Sequence, residues 1–220
     1  MHHSPDDTSE PATRPGWLSA GAGAGRKVLA ALQRHPALVA AFVLLLVLTG
    51  GIEALLGRSF FGPDRSFGWW EGNIWSSECS QRFADPYSVT HVVHGMLFYG
   101  VLWLVARGLP VRYRFLAAVL LEAGWEVLEN SPFIINRYRQ VTIALGYDGD
   151  SVLNSLSDIL MMSAGFLLAA RWRPWTTVAA VVAMEIGCLW WVRDNLTLNI
   201  VMLLWPVEAI RTWQTAGRPL

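Results

Sequence analysis

Apolar residues form six long runs along the chain, and short polar segments separate them. The runs cover about residues 37–56, 88–106, 112–130, 151–170, 174–192 and 195–210, of which the third and sixth are the least apolar. Because an α-helix rises 1.5 Å per residue, a run of about 20 residues reaches across a hydrocarbon core of roughly 30 Å. The sequence therefore predicts an all-α fold, a polytopic transmembrane helical bundle of about six spans.

Residues 1–25 differ from the runs because they are rich in Ser, Thr, Asp, Pro, Gly and Ala. Such a segment buries too little apolar surface to offset the entropy lost on ordering. We therefore predict a disordered cytoplasmic tail over residues 1–25, one transmembrane domain over residues 26–213 and a cytoplasmic tail over residues 214–220. The first apolar run lies too far from the start for a signal peptide, which favours an uncleaved anchor.

Basic residues indicate the orientation. When the connections are assigned alternately to two sides, one side carries Arg14, Arg26, Lys27, Arg34, Arg107, Arg112, Arg114, Arg171, Arg173, Arg211 and Arg218, and the other carries Arg58, Arg65, Arg82, Arg137, Arg139 and Arg193. Short loops rich in Lys and Arg stay in the cytoplasm. We therefore predict a multi-pass protein of the bacterial inner membrane with both termini cytoplasmic.

Composition narrows the function classes. Charged residues make up 15% of the chain, against about 25% in soluble domains, and hydrophobic residues make up 53%. The 17 basic and 17 acidic residues balance, and the sequence contains no cluster of positive charge. We therefore predict no nucleic-acid partner. A chain with two cysteines cannot be a disulfide scaffold. A single disulfide bond between Cys79 and Cys188 could form in an oxidising periplasm.

Polar residues interrupt three runs at helical spacing, so that each set shares one helix face. The sets are Tyr87, His91 and His94 on the second run, Glu122, Glu126 and Glu129 on the third, and Asp150, Asn154 and Asp158 on the fourth. All three lie in the outer half of the predicted bilayer. A charged residue at a helix centre costs about 2.5–3.5 kcal/mol even on the lenient insertion scale. We therefore expect the three sets to face one another in one hollow beneath the periplasmic surface.

Imidazoles and carboxylates in one hollow are suited to acid–base chemistry. The candidate catalytic residues are His91, His94, Glu122, Glu126, Glu129, Asn154 and Asp158. Arg137 and Arg139 follow the third run and offer planar donors to an anionic headgroup, so with Asp150 they are the candidate substrate-binding residues. A divalent metal is one alternative, with His91, His94, Glu126 and Asp158 as candidate ligands for Zn, Mn or Fe.

Each feature also has a structural interpretation. The histidines and glutamates then only join helices through hydrogen bonds, and the two arginines only anchor the membrane interface. Asp150 equally suits the N-cap of the fourth helix, since it stands between Gly149 and Ser151. Glu53, near the end of the first run, is interpreted as interfacial.

Four strings resemble a known family. They are THVVHGMLFY at residues 90–99, EAGWEVLEN at 122–130, NRYR at 136–139 and GDSVLNSLSD at 149–158. Together they resemble an alphaproteobacterial inner-membrane protein family of unknown function, over about residues 37–212. The order of His, Glu, Arg and Asp-x-x-x-Asn is more weakly similar to VanZ-like membrane proteins, which are implicated in glycopeptide resistance. Neither resemblance implies a known reaction.

Three function classes therefore stay open. The first is a membrane-embedded enzyme, or a binding protein, for an anionic lipid or a lipid-linked envelope precursor. The second is a small proton-coupled transporter, although the inner halves of the second to fourth runs are almost wholly apolar and no internal repeat is visible. The third is a structural or assembly partner of other membrane proteins. Whether the chain is an enzyme at all is not decided by the sequence.

Overall fold

A computed structural model describes residues 35–144 and 146–217. The chain divides into two units, residues 1–40 and 41–220. The described part of the first unit is residues 35–40, which open the first helix. The predicted tail over residues 1–25 lies outside the described residues.

Eight helices and no strand make up the described residues, which confirms the all-α prediction. The helices are α1 (Pro36–Leu55), α2 (Ser88–Val105), α3 (Val111–Glu129), α4 (Pro132–Val141), α5 (Val152–Ala169), α6 (Pro174–Val192), α7 (Leu196–Leu204) and α8 (Glu208–Thr215). One isolated β-bridge joins Trp70 and Ala84 in the long loop between α1 and α2. We call the end of the bundle that carries this loop, residues 56–87, the loop end.

Four of the described helices are long and apolar enough to cross a membrane, namely α1, α2, α5 and α6. The chain is accordingly a membrane protein. The prediction of about six spans is not confirmed, for two reasons. α3 has a sufficient length of 19 residues, but it carries two arginines and three glutamates. α7 has nine residues, which at 1.5 Å each gives about 14 Å, half of a hydrocarbon core.

The predicted sixth span, residues 195–210, is instead a helix pair that returns to the loop end. Trp205 precedes Pro206 and adopts φ −143° and ψ 81°, which ends α7. After the turn, Gln214 on α8 donates to Asp194 Oδ1 at 3.0 Å. Since Asp194 and Gln214 are in contact, the prediction that placed them on opposite sides of the membrane is wrong. Residues 214 and 215 belong to α8, not to a tail.

α5 is the central helix and contacts α2, α3 and α6. Most of α5 is buried, whereas Cys188 is the one buried residue of α6. Below the polar residues, the core is formed by Ala118, Val119, Ala123, Ile159, Met162 and Phe166. This apolar layer on α3 and α5 closes the bundle toward the end opposite the loop.

Two glycines bring α2 and α5 unusually close. A Cβ atom on Gly95 would overlap the Met162 carbonyl and lie 2.6 Å from the Phe166 nitrogen. A Cβ atom on Gly165 would overlap the Val92 carbonyl in the same way. Only glycine permits such backbone contact between two helices. The polar faces of α2 and α5 are therefore held within reach of each other.

Candidate functional site

Two histidines of α2 converge on one carboxylate of α3. The Nδ1 atom of His91 lies 2.6 Å from Glu122 Oε1, and the Nδ1 atom of His94 lies 3.0 Å from the same oxygen. Glu122 is fully buried, and His91 is nearly so. Because both rings direct Nδ1 to one oxygen, the α2 and α3 polar faces are fixed against each other at this point.

Glu126 stands one turn along α3 and completes the group. Its Oε1 atom lies 3.4 Å from His91 Nδ1. The carboxylate is fully buried, and neither oxygen accepts a hydrogen bond from any described residue. We call His91, His94, Glu122 and Glu126 the His–Glu cluster.

The α5 face reaches the cluster from the third side. Asp158 Oδ2 lies 3.7 Å from His91 Nε2, the ring nitrogen that does not face Glu122. Asn154 is buried one turn nearer the loop end, where its Nδ2 donates to the Arg82 carbonyl at 2.9 Å. The structure thus brings the three polar faces together, with His91 between α3 and α5.

A second group of carboxylates lies between the cluster and the loop end. Oxygens of Glu126, Glu129 and Asp150 all lie within 4.8 Å of one another. Burial raises the pKa of Asp150 from an ordinary 3.8 to about 7, with the Asp85 charge adding to the rise. Asp150 can therefore exchange a proton near neutral pH. It is not the N-cap of α5, because Ser151 Oγ accepts from the Asn154 nitrogen instead.

Asn130 connects this group to α1. Its Nδ2 lies 3.0 Å from Ser155 Oγ, 3.2 Å from the Glu126 carbonyl oxygen and 3.4 Å from both Glu53 Oε1 and Asp150 Oδ2, so that its two N–H groups are shared among these acceptors. Its Oδ1 accepts from the Asp150 nitrogen at 2.7 Å. We call Glu53, Asn130, Asp150 and Ser155 the Asn130 network. Glu53 is completely buried, so its interpretation as interfacial is wrong.

Sequence reasoning missed Asn130, although a signal for it exists. Asn130 follows Glu126 by four residues and Glu122 by eight, so it continues the same face of α3 beyond the last helical residue. Glu53 carried no comparable signal, because a single acidic residue at the end of an apolar run is equally typical of an interfacial position.

A cavity of about 420 Å³ opens beside the His–Glu cluster. Its polar wall includes His91, His94, Glu129, Asp150, Asn154 and Asp158. Its apolar lining includes Leu97, Phe98, Leu121 and Ile200. The cavity is therefore amphipathic, with side chains that can hydrogen-bond and side chains that can contact hydrocarbon.

Among the described residues, no lysine or arginine lines this cavity. Arg137 on α4 donates through Nε and Nη2 to the Leu203 carbonyl at 2.9 and 2.8 Å, which ties α4 to α7. Arg139 contacts the Tyr147 carbonyl and the Asp148 carboxylate. The binding of an anionic headgroup by these two arginines stays a prediction.

Asp194 and Cys188 lie near the end of α6. Asp194 is buried, lines the cavity and accepts from Gln214 Nε2 and from Tyr87 Oη, the latter at 3.3 Å. It therefore ties α8 to the start of α2. Cys79 and Cys188 are both free thiols, so the structure contains no bridge between them.

Replacing Asp194 with asparagine is expected to remove a pH dependence of stability. Burial raises the pKa of Asp194 from 3.8 to about 6. A raised carboxyl pKa stabilises the folded chain below about pH 4 and loses that contribution as the pH rises through about 6. The loss corresponds to about 3 kcal/mol at 1.36 kcal/mol per unit. Between pH 4 and 7 in detergent, the melting temperature of the native chain should fall relative to that of Asp194→Asn, and parallel curves would contradict this assignment.

Most of the described chain has counterparts in known proteins. A family model described as a protein of unknown function, DUF2585, matches residues 54–216, a range that includes the whole His–Glu cluster. A UPF0314 protein of Sphingopyxis alaskensis is 48% identical over 173 residues, covering 79% of this chain and 92% of the relative. A UPF0314 protein of Paracoccus denitrificans is 55% identical over 147 residues, covering 67% and 76%.

No solved structure matches the chain. The resemblance to VanZ-like proteins is not shown by the matches above and stays a prediction. The resemblance to an alphaproteobacterial family of unknown function is confirmed, since the family model covers most of the chain and the relatives are about half identical to it. The chain therefore belongs to the DUF2585 family.

Proposed function

We propose that this chain is an inner-membrane protein that takes the polar headgroup of a membrane lipid, or of a lipid-linked molecule, into the cavity beside the His–Glu cluster and acts on it as an acid–base enzyme. The acyl chains stay in the bilayer. His94, Glu129, Asp150 and Asp158 are the candidate acids and bases, because all four line the cavity.

One observation supports this proposal most strongly. Leu97, Leu121 and Ile200 line the cavity, and each keeps 45–53% of its surface exposed. Cavity-lining side chains that remain this exposed indicate that the cavity opens through the side of the helical bundle. On a membrane protein this opening faces acyl chains, so a lipid can enter sideways with its headgroup toward the carboxylates.

The charge distribution supports the proposed orientation. At the end opposite the loop, Arg107, Arg112 and Arg114 surround the α2–α3 connection, and Arg171 and Arg173 lie in the α5–α6 connection, without any acidic residue in either. Short connections of this kind are typical of the cytoplasmic side. The loop end, and with it the cavity, then faces the periplasm.

The transporter alternative predicts polar access from both ends of the bundle. In the described part of the chain, the layer beyond the His–Glu cluster consists of apolar residues such as Val119, Ile159 and Phe166, all fully buried. A solute path through this layer would require the core to open. A lateral entrance from the bilayer requires no such change.

Filling the lateral opening tests the proposal. Leu121→Trp places a large ring in the apolar wall, and we expect it to lower the amount of lipid that copurifies with the chain at least fivefold. Leu120→Trp is the matched control, because Leu120 is the neighbouring residue, is similarly exposed and does not line the cavity. Native mass spectrometry of both variants in mild detergent measures retained lipid.

The control should retain as much lipid as the native chain. Equal retention by the two tryptophan variants and the native chain would overturn the lateral entrance. The same would follow from retained lipid that is lost equally in both variants, because the loss would then reflect the outer surface and not the cavity.

A further inference from the structure

Glu126 is a buried acidic residue for which the described residues supply no hydrogen-bond donor. Its carboxylate is fully buried and accepts no hydrogen bond from them. A buried, unpaired charge is costly, and the salt bridges of the described chain bring no arginine or lysine to Glu126. A bound cation would satisfy both oxygens.

The neighbouring donor atoms are arranged as a metal requires. His91 Nδ1 lies 2.6 Å from Glu122 Oε1 and 3.4 Å from Glu126 Oε1, and His94 Nδ1 lies 3.0 Å from Glu122 Oε1. A tetrahedral ion with bonds of 2.0–2.1 Å separates its ligand atoms by about 3.3 Å. The donor atoms of His91, His94 and Glu122 all lie within 4.8 Å of one another, as the ligands of one ion would, and Glu126 Oε1 adjoins this group at His91.

We infer that the chain binds one divalent transition-metal ion of the zinc class between His91, His94, Glu122 and Glu126. Two imidazoles favour such an ion over Mg²⁺ and Ca²⁺, which prefer oxygen ligands. Two carboxylates neutralise its charge. The site stands on its own geometry, so it goes beyond the proposed function and holds without it.

Asp158 supports this assignment as a positioning residue. When His91 Nδ1 binds the ion, the proton of the ring is on Nε2, and Asp158 Oδ2 lies 3.7 Å from that atom. Carboxylates that accept from the distal nitrogen of a metal-binding histidine fix the ring and its tautomer. One oxygen of Asp158 also accepts no hydrogen bond within the described chain.

The ion would also give the cavity a positive centre. His91 and His94 line the cavity, whereas no lysine or arginine does so among the described residues. A ligand that approaches through the cavity meets the ion from the side of the histidines. A phosphate or carboxylate headgroup could bind there despite the surrounding acidic residues.

The test is metal binding by the full-length chain, purified in detergent without a histidine tag and stripped with a chelator. We expect one equivalent of Zn²⁺ by elemental analysis after reloading and desalting. In calorimetric titrations with Zn²⁺, Glu126→Gln should weaken binding at least tenfold. Glu208→Gln is the control, because Glu208 is an exposed glutamate on α8 outside the donor set, and the zinc affinity of this variant should stay within threefold of the native value.

A native chain that retains no Zn²⁺, or a Glu126→Gln variant that binds it unchanged, would overturn the inference. X-ray absorption of the zinc-loaded native chain makes the test independent of any variant. Two imidazole nitrogens with oxygen ligands are expected, and a shell of oxygens alone would overturn the site. Lipid retention on the same samples separates this inference from the proposed function, since zinc without lipid contradicts only the latter.

Discussion

Gly95→Ala is expected to destabilise the chain by about 3 kcal/mol or more, which lowers the melting temperature by roughly 10 °C. The added methyl group overlaps the Met162 carbonyl, and the next atom it meets is the Phe166 nitrogen at 2.6 Å. Both are backbone atoms of α5, so no side-chain rotation relieves the overlap. The helices must separate instead, and the two histidines of the His–Glu cluster, which lie on α2, would move away from Asp158.

Gly100→Ala is the matched control, because Gly100 lies on the same helix and a methyl group there meets nothing within 4 Å. It should leave the melting temperature unchanged or raise it slightly, since alanine is the better helix former. Thermal unfolding followed by circular dichroism in one detergent compares the two variants with the native chain. Equal melting temperatures for the Gly95 and Gly100 variants would contradict the close contact between α2 and α5.

Much of the fold follows from hydrophobic pattern alone. Every end of the predicted runs 88–106, 112–130, 151–170 and 174–192 lies within one residue of the corresponding end of α2, α3, α5 or α6. Their boundaries carry local signals, such as Ser151 before α5 and Pro174 at the first position of α6. In these helices local preference and membrane burial point to the same structure.

The prediction of the last span was not confirmed because hydrophobicity shows that a segment is apolar, but not whether the chain continues in one direction across the membrane. Residues 195–210 are apolar enough to suggest a crossing, and Pro206 was the only local sign of a break. Asn195 begins α7 by accepting from the Leu198 nitrogen, and the chain turns after nine helical residues. Contacts far apart in sequence, from Gln214 to Asp194, then hold the returning helix.

The candidate site was predictable to the extent that helical spacing determines a face. Glu122 and Glu126 lie on the α3 face that meets His91, and Asp158 lies on the α5 face that meets the same ring. Their exact partners were not predictable, because these depend on how closely α2 and α5 approach. That distance is set by Gly95 and Gly165, whose role no polar pattern reveals.

The Asn130 network shows how a neutral side chain holds acidic groups together. Glu53 lies on α1 and Asp150 lies just before α5, and both are buried. Asn130 supplies two amide protons near their oxygens and accepts from the Asp150 backbone. A neutral amide can satisfy donors and acceptors at once, which a third carboxylate at this position could not do.

Asn130→Ala is therefore expected to cost about 3 kcal/mol, close to the effect of Gly95→Ala. The change leaves the Asp150 nitrogen, Ser155 Oγ and Glu53 Oε1 without their shared partner, and each buried group left unpaired costs about 1–3 kcal/mol. Rearrangement of the neighbouring side chains reduces the summed loss of stability. Thermal unfolding in detergent measures the loss.

Asn136→Ala serves as the control for this change, since Asn136 lies on α4 and is exposed. Surface substitutions usually stay within about 0.5 kcal/mol, so its melting temperature should match that of the native chain. Asn130→Asp separates shape from chemistry, because it keeps the size and the acceptor but removes the amide donor. If the network depends on that donor, this variant should be destabilised as much as Asn130→Ala. A native-like Asn130→Asp would mean that only the acceptor for the Asp150 nitrogen matters, and that Glu53 is held by other means.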